Sequence, residues 1–299
     1  MTKRHRRQRG LYGQTIIDAS DQPIVRIARL ATRLARGHMA DYAHKYAPKK
    51  FTQPQLFACL IIKAHMGCTY RKAEELLTLM PAVREAIGLE DVPRFTTLAT
   101  FAARPEIAGI IDGVLANIGR TIASQQPQDA AVDGTGMETT SASAHFVSRA
   151  GRKRTRYVKL MLGVLCTSAI PVSLVVDWGP SHDMKQAWSL REKMRSTCKP
   201  TALWGDGAYD SEAWHEANWR EWGVPSYAPT TVRSVDGSVS GLYRRAFADM
   251  RPAEYGRRWV CESVNSAIKR ISGSSLRSRK QSTLFAEAAL KVAAYAIKV

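Results

Sequence analysis

The chain has 299 residues, 45% hydrophobic and 23% charged, long enough to bury a core and ordinary for a globular protein. Its charge balance is not ordinary: 44 Lys and Arg against 26 Asp and Glu give +18, an excess that draws polyanions, nucleic acid above all. Five widely spaced cysteines without a CxxC exclude a disulfide framework and a thiolate zinc site, and point to reduced thiols in a cytoplasmic compartment.

No signal peptide is expected, because no apolar run follows the Arg-rich start. The longest uncharged stretch, Leu160 to Val176, is 17 residues broken by Gly163 and Pro171. A spanning helix needs about 20 apolar residues, so no membrane partner is expected and two strands joined by a turn fit better.

The first 50 residues hold 12 Lys and Arg against three Asp, half the net charge in a sixth of the chain. Residues 1–20 read as a basic arm. Pro23 then opens a helix to about Gly37, with Ile24, Ile27, Leu30, Ala31 and Leu34 on one face and Arg26, Arg29, Arg33 and Arg36 opposite. That pattern suits either DNA contact or a core-packed helix with a solvated Arg face.

Helices follow at about Pro54–Met66, Tyr70–Leu79 and just before Gly88. Thr96 is placed to cap another through Arg104, and one more runs from Ile107 to Ala123. Short helices with brief turns over 51–125 suit a helix-turn-helix-like module, as they suit any small bundle.

After Asp129 the period changes. Ala130–Met137, Tyr157–Cys166 and Pro171–Trp178 read as strands. Residues 183–197 form a helix, Ala202–Asp206 a strand, Ser211–Trp222 a helix and Val224–Ala228 a short strand. A long helix from Asp249 to Ile271 and an amphipathic one from Leu284 to Lys298 close an α/β layer with a mixed sheet. A second basic cluster, Arg149, Arg152, Lys153, Arg154, Arg156 and Lys159, precedes and enters the second strand. Others lie at Arg244, Arg245, Arg251, Arg257 and Arg258, and at Lys269, Arg270, Arg277, Arg279 and Lys280. Clusters of this kind concentrate potential and release counterions when phosphates are neutralised.

Asp133 (in Val132-Asp133-Gly134-Thr135) and Asp206 (in Trp204-Gly205-Asp206-Gly207) both sit where a strand gives out into glycine. Such a carboxylate is exposed yet held by a rigid element, although Asp-Gly is also the commonest turn dipeptide. Tyr255, Arg258, Glu262 and Lys269 fall within roughly 60° of one helix face at 100° per residue. Two explanations stand for that stripe: a working surface, or a solvent-facing charged face with a Glu262–Arg258 pair. His182-Asp183 reads as a helix start, and Asp177, Asp210 and Asp236 as turn or capping residues. Trp214, Trp219 and Trp222 read as packing residues.

The spacing Tyr-(2)-Arg-(3)-Glu-(6)-Lys, met by Tyr255, Arg258, Glu262 and Lys269 without a gap, resembles the signature of IS4-type DDE transposases. Asp133-Gly134-Thr135 and Asp206-Gly207-Ala208-Tyr209-Asp210 resemble that family's two acidic motifs. His182-Asp183 is similar to the segment after its third strand. Thr69-Tyr70-Arg71-Lys72-Ala73-Glu74-Glu75-Leu76-Leu77 and Val92-Pro93-Arg94-Phe95-Thr96-Thr97-Leu98 resemble N-terminal regions of IS4 and IS5 insertion-sequence transposases. The resemblance spans about residues 50–290, without the large β-insertion some members carry between Asp206 and Glu262.

It implies an α/β fold: an RNase H-like mixed sheet flanked by helices over 126–299, preceded by an all-α DNA-binding region. It implies Asp133, Asp206 and Glu262 as catalytic residues and metal ligands. Arg258, Lys269 and Tyr255 would meet the DNA end, and Arg152, Lys153, Arg154 and Arg156 would add to DNA binding. Mg²⁺, with Mn²⁺ as a substitute, is the expected cofactor, because a hard ion prefers carboxylate oxygens, and two such ions about 3.5–4 Å apart stabilise both the attacking and leaving oxygens. The implied partners are double-stranded DNA, as terminal repeats and target, and a second copy in a synaptic homodimer, with a cytoplasmic, nucleoid-associated location. Two further readings stay open: a transposase-derived DNA-binding protein without catalysis, and a metal-dependent nuclease without strand transfer.

Overall fold

A computed structural model describes residues 22–139, 156–231, 238–249 and 252–299. The basic arm, Arg149, Arg152, Lys153, Arg154, Asp236 and Arg251 lie outside the described residues.

The N-terminal part is helical. α1 (Pro23–Arg36) buries Ile27, Ala31 and Leu34 and leaves Arg26, Arg33 and Arg36 exposed, as its periodicity dictates. α2 (Gln53–His65) starts on a capping box, in which Thr52 and Gln55 satisfy each other's backbone N–H groups. α3 (Tyr70–Leu79) starts on Thr69, and α4 (Pro81–Ile87) stops at Gly88, whose φ of 67° favours glycine. α5 (Phe95–Ala102) departs from expectation: Thr96 does not cap it. The Glu74 carboxylate of α3 accepts instead from Phe95 N (2.8 Å) and pairs with Arg94, a long-range cap that starts the helix two residues earlier. α6 (Glu106–Gln125) is long and apolar enough by composition to cross a membrane. It buries Ile107, Ile111, Val114 and Leu115, packs on the later segments Ile170–Gly179 and Gln281–Lys298, and carries Glu106, Asp112 and Arg120.

The sheet is mixed, in the order β3-β2-β1-β4-β5. β1 (Ala130–Met137), β2 (Tyr157–Leu165) and β3 (Ile170–Gly179) form an antiparallel meander with a bulge at Gly163/Val164. β4 (Leu203–Trp204) and β5 (Ser226–Tyr227) add in parallel, each shorter than its sequence suggests. α7 (Met184–Arg195) covers β2 and β3. α8 (Glu212–Ala217) continues as a π-helical turn over Asn218–Trp222, and α9 (Leu242–Asp249) packs on it.

The expected long helix from Asp249 to Ile271 is corrected. Pro252 lacks the N–H that would continue α9, and the chain restarts as a 3-10 turn, Ala253–Arg258, before α10 (Trp259–Ser272). Tyr255 therefore does not share an α-helical face with Glu262. Within α10 the buried residues are Cys261, Val264, Asn265, Ile268 and Ser272, while Trp259, expected among the apolar positions, is 60% exposed. α11 (Gln281–Lys298) is corrected as well: it is buried on nearly every side, because α1, α2, α6, α10 and β3 surround it.

Candidate active-site cleft

Register brings the first two carboxylates together. β1 pairs β4 in parallel with Ala131 opposite Trp204, so Asp133 and Asp206, each two residues further along, leave the same end of that pairing and the charge of Asp206 acts on Asp133. β4 ends at Trp204, which leaves that side of Asp133 open. Asp133 is therefore mid-strand, opposite Leu162 on its other side, rather than at a strand end. Asp206 opens the 3-10 turn Gly207–Tyr209, and its Oδ1 accepts from Ala208 N at 2.9 Å. The glycine before it has a packing reason: a Cβ on Gly205 would stand 2.8 Å from the Tyr209 ring.

α10 lies across β1 and β2 and delivers Glu262. Asn265 Nδ2 donates to Asp133 Oδ2 (2.9 Å), Lys269 Nζ donates to Thr135 Oγ1 (2.6 Å), and Cys261 Sγ donates to the Leu162 carbonyl (3.9 Å). Asp133 and Thr135 point the same way because side chains alternate along a strand. Asp133, Thr135, Glu262, Asn265, Lys269 and Arg270 thus line one open cleft. Arg258 reaches Glu262 Oε1 at 2.5 Å, the i,i+4 pair weighed from sequence. The Tyr255 hydroxyl donates to the Gly205 carbonyl (2.8 Å) and its ring meets Trp204 edge-on, so it holds the turn that carries Asp206. Arg156 stacks over Trp178, 3.9 Å from the ring centroid.

The electrostatics single out Asp133. Burial pushes its carboxyl up to about 6; Asp206 and Glu262 add to the rise, while the Gly134 N–H and Arg258 oppose it. Burial lowers the Lys269 ammonium, against the pull of Asp133. Two orphaned polar atoms lie here, the Asn265 Oδ1 and the Tyr209 hydroxyl, both buried without a hydrogen-bond partner among the described residues. Burial and the charges of Asp183, Asp133 and Asp206 push the Tyr209 phenol well above its usual range. Among the described residues no three His, Cys, Asp or Glu side chains stand close enough to enclose one metal ion. The donor set still suits a hard divalent cation, which would relieve the mutual repulsion of the carboxylates and meet the unpaired Asn265 oxygen.

Sequence reading missed Asn265, which sits three residues after Glu262 and reads there as one more polar helix position. Asp183 does begin α7, yet its carboxylate also pairs with the buried Lys159 ammonium, which donates to the Ser181 carbonyl as well. Asp210, expected as a turn residue, is the buried partner of Arg244. Trp214 and Trp222 are buried as packing residues, whereas Trp219 is 49% exposed.

No curated protein matches the chain. Residues 124–220, a span that holds Asp133 and Asp206 and ends before Tyr255, match the family model for the transposase DDE domain. That match supports transposase function in general and bears out the chain's resemblance to a DDE-type insertion-sequence transposase.

Proposed function

We propose that the chain is an insertion-sequence transposase of the IS4/IS5 type that cuts DNA at the element's ends and joins them to target DNA. The observation that carries this reading is the docking of α10 on β1 through the Asn265–Asp133 bond. It sets Glu262 in the cleft of Asp133, a carboxyl whose proton affinity burial raises most, with Asp206 and Glu262 adding to the rise. Residues 126–299 would be the RNase H-like catalytic part, 51–125 a DNA-binding part, and 1–50 a basic arm for the phosphate backbone.

Asp133, Asp206 and Glu262 would hold Mg²⁺ or Mn²⁺, which when bound supplies charge stabilisation to the oxygens entering and leaving phosphorus. In the first reaction a water oxygen bonds to phosphorus as the bond to the 3′-oxygen breaks, leaving a 3′-hydroxyl. In the second that hydroxyl attacks a target phosphate, loses its proton and displaces another 3′-oxygen. Asn265 holds the Asp133 carboxylate in one orientation, and Tyr255 fixes the backbone under Asp206. Lys269 and Arg258 flank the carboxylates as cations without lone pairs, suited to phosphate oxygens. Arg156, with Arg152, Lys153 and Arg154 before it in the chain, would extend the contact along the duplex. Two ends must be held together, which calls for a homodimer on DNA, working at the nucleoid.

One observation favours a second reading, a DNA-binding protein without catalysis: Arg258 occupies Glu262 in an ion pair. Nicking of a labelled duplex carrying the element's terminal repeats decides between them. Wild type should nick only with Mg²⁺ or Mn²⁺. Asp133→Asn, Asp206→Asn and Glu262→Gln should each abolish nicking while gel-shift affinity is retained. A wild-type chain that binds ends but never nicks selects the second reading, and nicking without joining selects a nuclease.

A further inference from the structure

The segment after α10 separates the cleft from a second, smaller cavity. Ser274 lines the cleft, whereas Gly273 and Ser275 line the cavity, together with the end of α2 and one side of α11. Its volume is about 50 Å³, against about 150 Å³ for a cavity that takes benzene, so it admits a few waters or one small oxyanion.

Its walls are unbalanced in charge: Lys63, Lys291 and Arg277 face a single carboxylate, Glu287. Glu287 is committed to the backbone, accepting from Arg277 N and Ser278 N, the latter at 2.8 Å. Lys291 is committed too, donating to the Gly273 (2.7 Å) and Ser275 (2.9 Å) carbonyls. Lys63 is 7% exposed, and among the described residues its ammonium meets the Tyr70 ring, 4.5 Å from the centroid, and no oxygen. Burial lowers the pKa of Lys63 and brings Lys291 down to about 8, with Glu287 opposing in both cases. Keeping two buried ammonium groups, Lys63 and Lys291, charged beside one committed carboxylate is costly, exposed Arg277 adds to the excess, and water cannot neutralise it. An anion can.

We propose that this cavity binds a phosphate-class oxyanion, held by Lys63, Lys291 and Arg277. Free inorganic phosphate and a backbone phosphate of DNA offer the same chemistry; the DNA source alone rests on the function proposed above.

The test uses the full chain in metal-free buffer, titrated calorimetrically with inorganic phosphate and, at matched ionic strength, with chloride. Wild type should show saturable one-site phosphate binding absent with chloride. Lys63→Gln should weaken it about tenfold or more, the scale of one charge-assisted hydrogen bond. Arg277→Gln, at an exposed residue where the fold is not at risk, should weaken it as well. If DNA is the source, phosphate competes with duplex in gel shifts and Lys63→Gln lowers the log–log salt slope by about 0.9. If free phosphate is the source, Lys63→Gln leaves duplex binding and its slope unchanged. Phosphate heat no larger than chloride heat in wild type, or phosphate affinity unchanged in both variants, overturns the site. None of these readouts involves cleavage, so the site and the proposed reaction can fail separately.

Discussion

Asp206 and Asp210 stand four residues apart, on either side of one 3-10 turn, and meet opposite surroundings. Asp210 is 2% exposed and fully answered: Arg244 donates to both its oxygens, at 2.5 and 2.9 Å, Thr231 N donates at 2.6 Å, and His215 lies 3.7 Å away. Burial would raise the Asp210 carboxyl, but Arg244 and the Thr231 N–H outweigh it and hold the carboxyl below its ordinary value. Among the described residues neither Asp206 nor Asp133 has a cation in ion-pair contact, the nearby Arg258 being held by Glu262. The neighbouring Asp133 has one amide donor on its side chain and a pKa raised to about 6. A paired buried carboxylate stabilises a fold, whereas a gathered, under-paired set stores repulsion that a cation or a phosphate-bound metal can release. The same residue type serves structure in one place and is poised for chemistry in the other.

The sharpest way to break that contrast is to substitute one member of each cluster. Asp206→Asn should remove nicking by roughly 10³-fold or more, over 4 kcal/mol in the barrier, with no loss of urea stability. Arg244→Met should do the reverse, costing about 3–5 kcal/mol of stability by leaving Asp210 buried and unpaired. A destabilised Asp206→Asn protein, or an Arg244→Met protein of wild-type stability, would mean the two clusters are not different in kind.

The cations of the cleft come next. Arg258→Ala and Lys269→Ala should each raise the barrier to strand transfer by about 2–4 kcal/mol while Mg²⁺ binding, followed by calorimetry, survives. The joining step should suffer more than the first nick, since it needs an oriented DNA end. Loss of metal binding in either variant would place that residue in a structural ion-pair network.

A smaller effect lies in pH. The folded Asp133 binds its proton more tightly than the unfolded chain does, so its contribution to stability is full below about pH 4 and is lost as pH rises through about 6. Metal-free wild type should therefore lose stability on the order of 2 kcal/mol across that window relative to Asp133→Asn. Mg²⁺ added at neutral pH should restore part of it. Parallel stability–pH curves for the two proteins would mean that Asp133 binds its proton no more tightly in the folded chain than in the unfolded one.

The smallest effect concerns the amide between Asp133 and α10. Asn265→Ala should weaken Mg²⁺ binding about tenfold by freeing the Asp133 carboxylate, and nicking should recover at high Mg²⁺. Persistent loss of nicking at saturating metal would give Asn265 a part in the chemistry itself.

What the sequence determined by itself is what depends on near neighbours. The Arg and apolar faces of α1 follow from a 3.6-residue period, and the position of β3 follows from a run of apolar residues between turn formers. The capping threonines of α2 and α3, Thr52 and Thr69, act within three residues of themselves, although of the threonines the sequence reading names only Thr96 as a cap. The candidate carboxylates were legible for a related reason: Asp133 and Asp206 stand beside glycines, and Glu262 keeps a fixed spacing from Arg258 and Lys269. The tertiary structure decided what depends on partners far along the chain. Glu74 caps α5 from another helix; Arg244 turns Asp210 from a turn residue into half of a buried ion pair. Asn265 reaches Asp133 across more than a hundred residues, because α10 crosses β1 at that height. α11 looks amphipathic alone and is buried all round because helices of the N-terminal part and strands of the sheet close over it. Hydrogen bonds and burial of that kind are set by which surfaces meet, and a residue's neighbours along the chain carry no record of them.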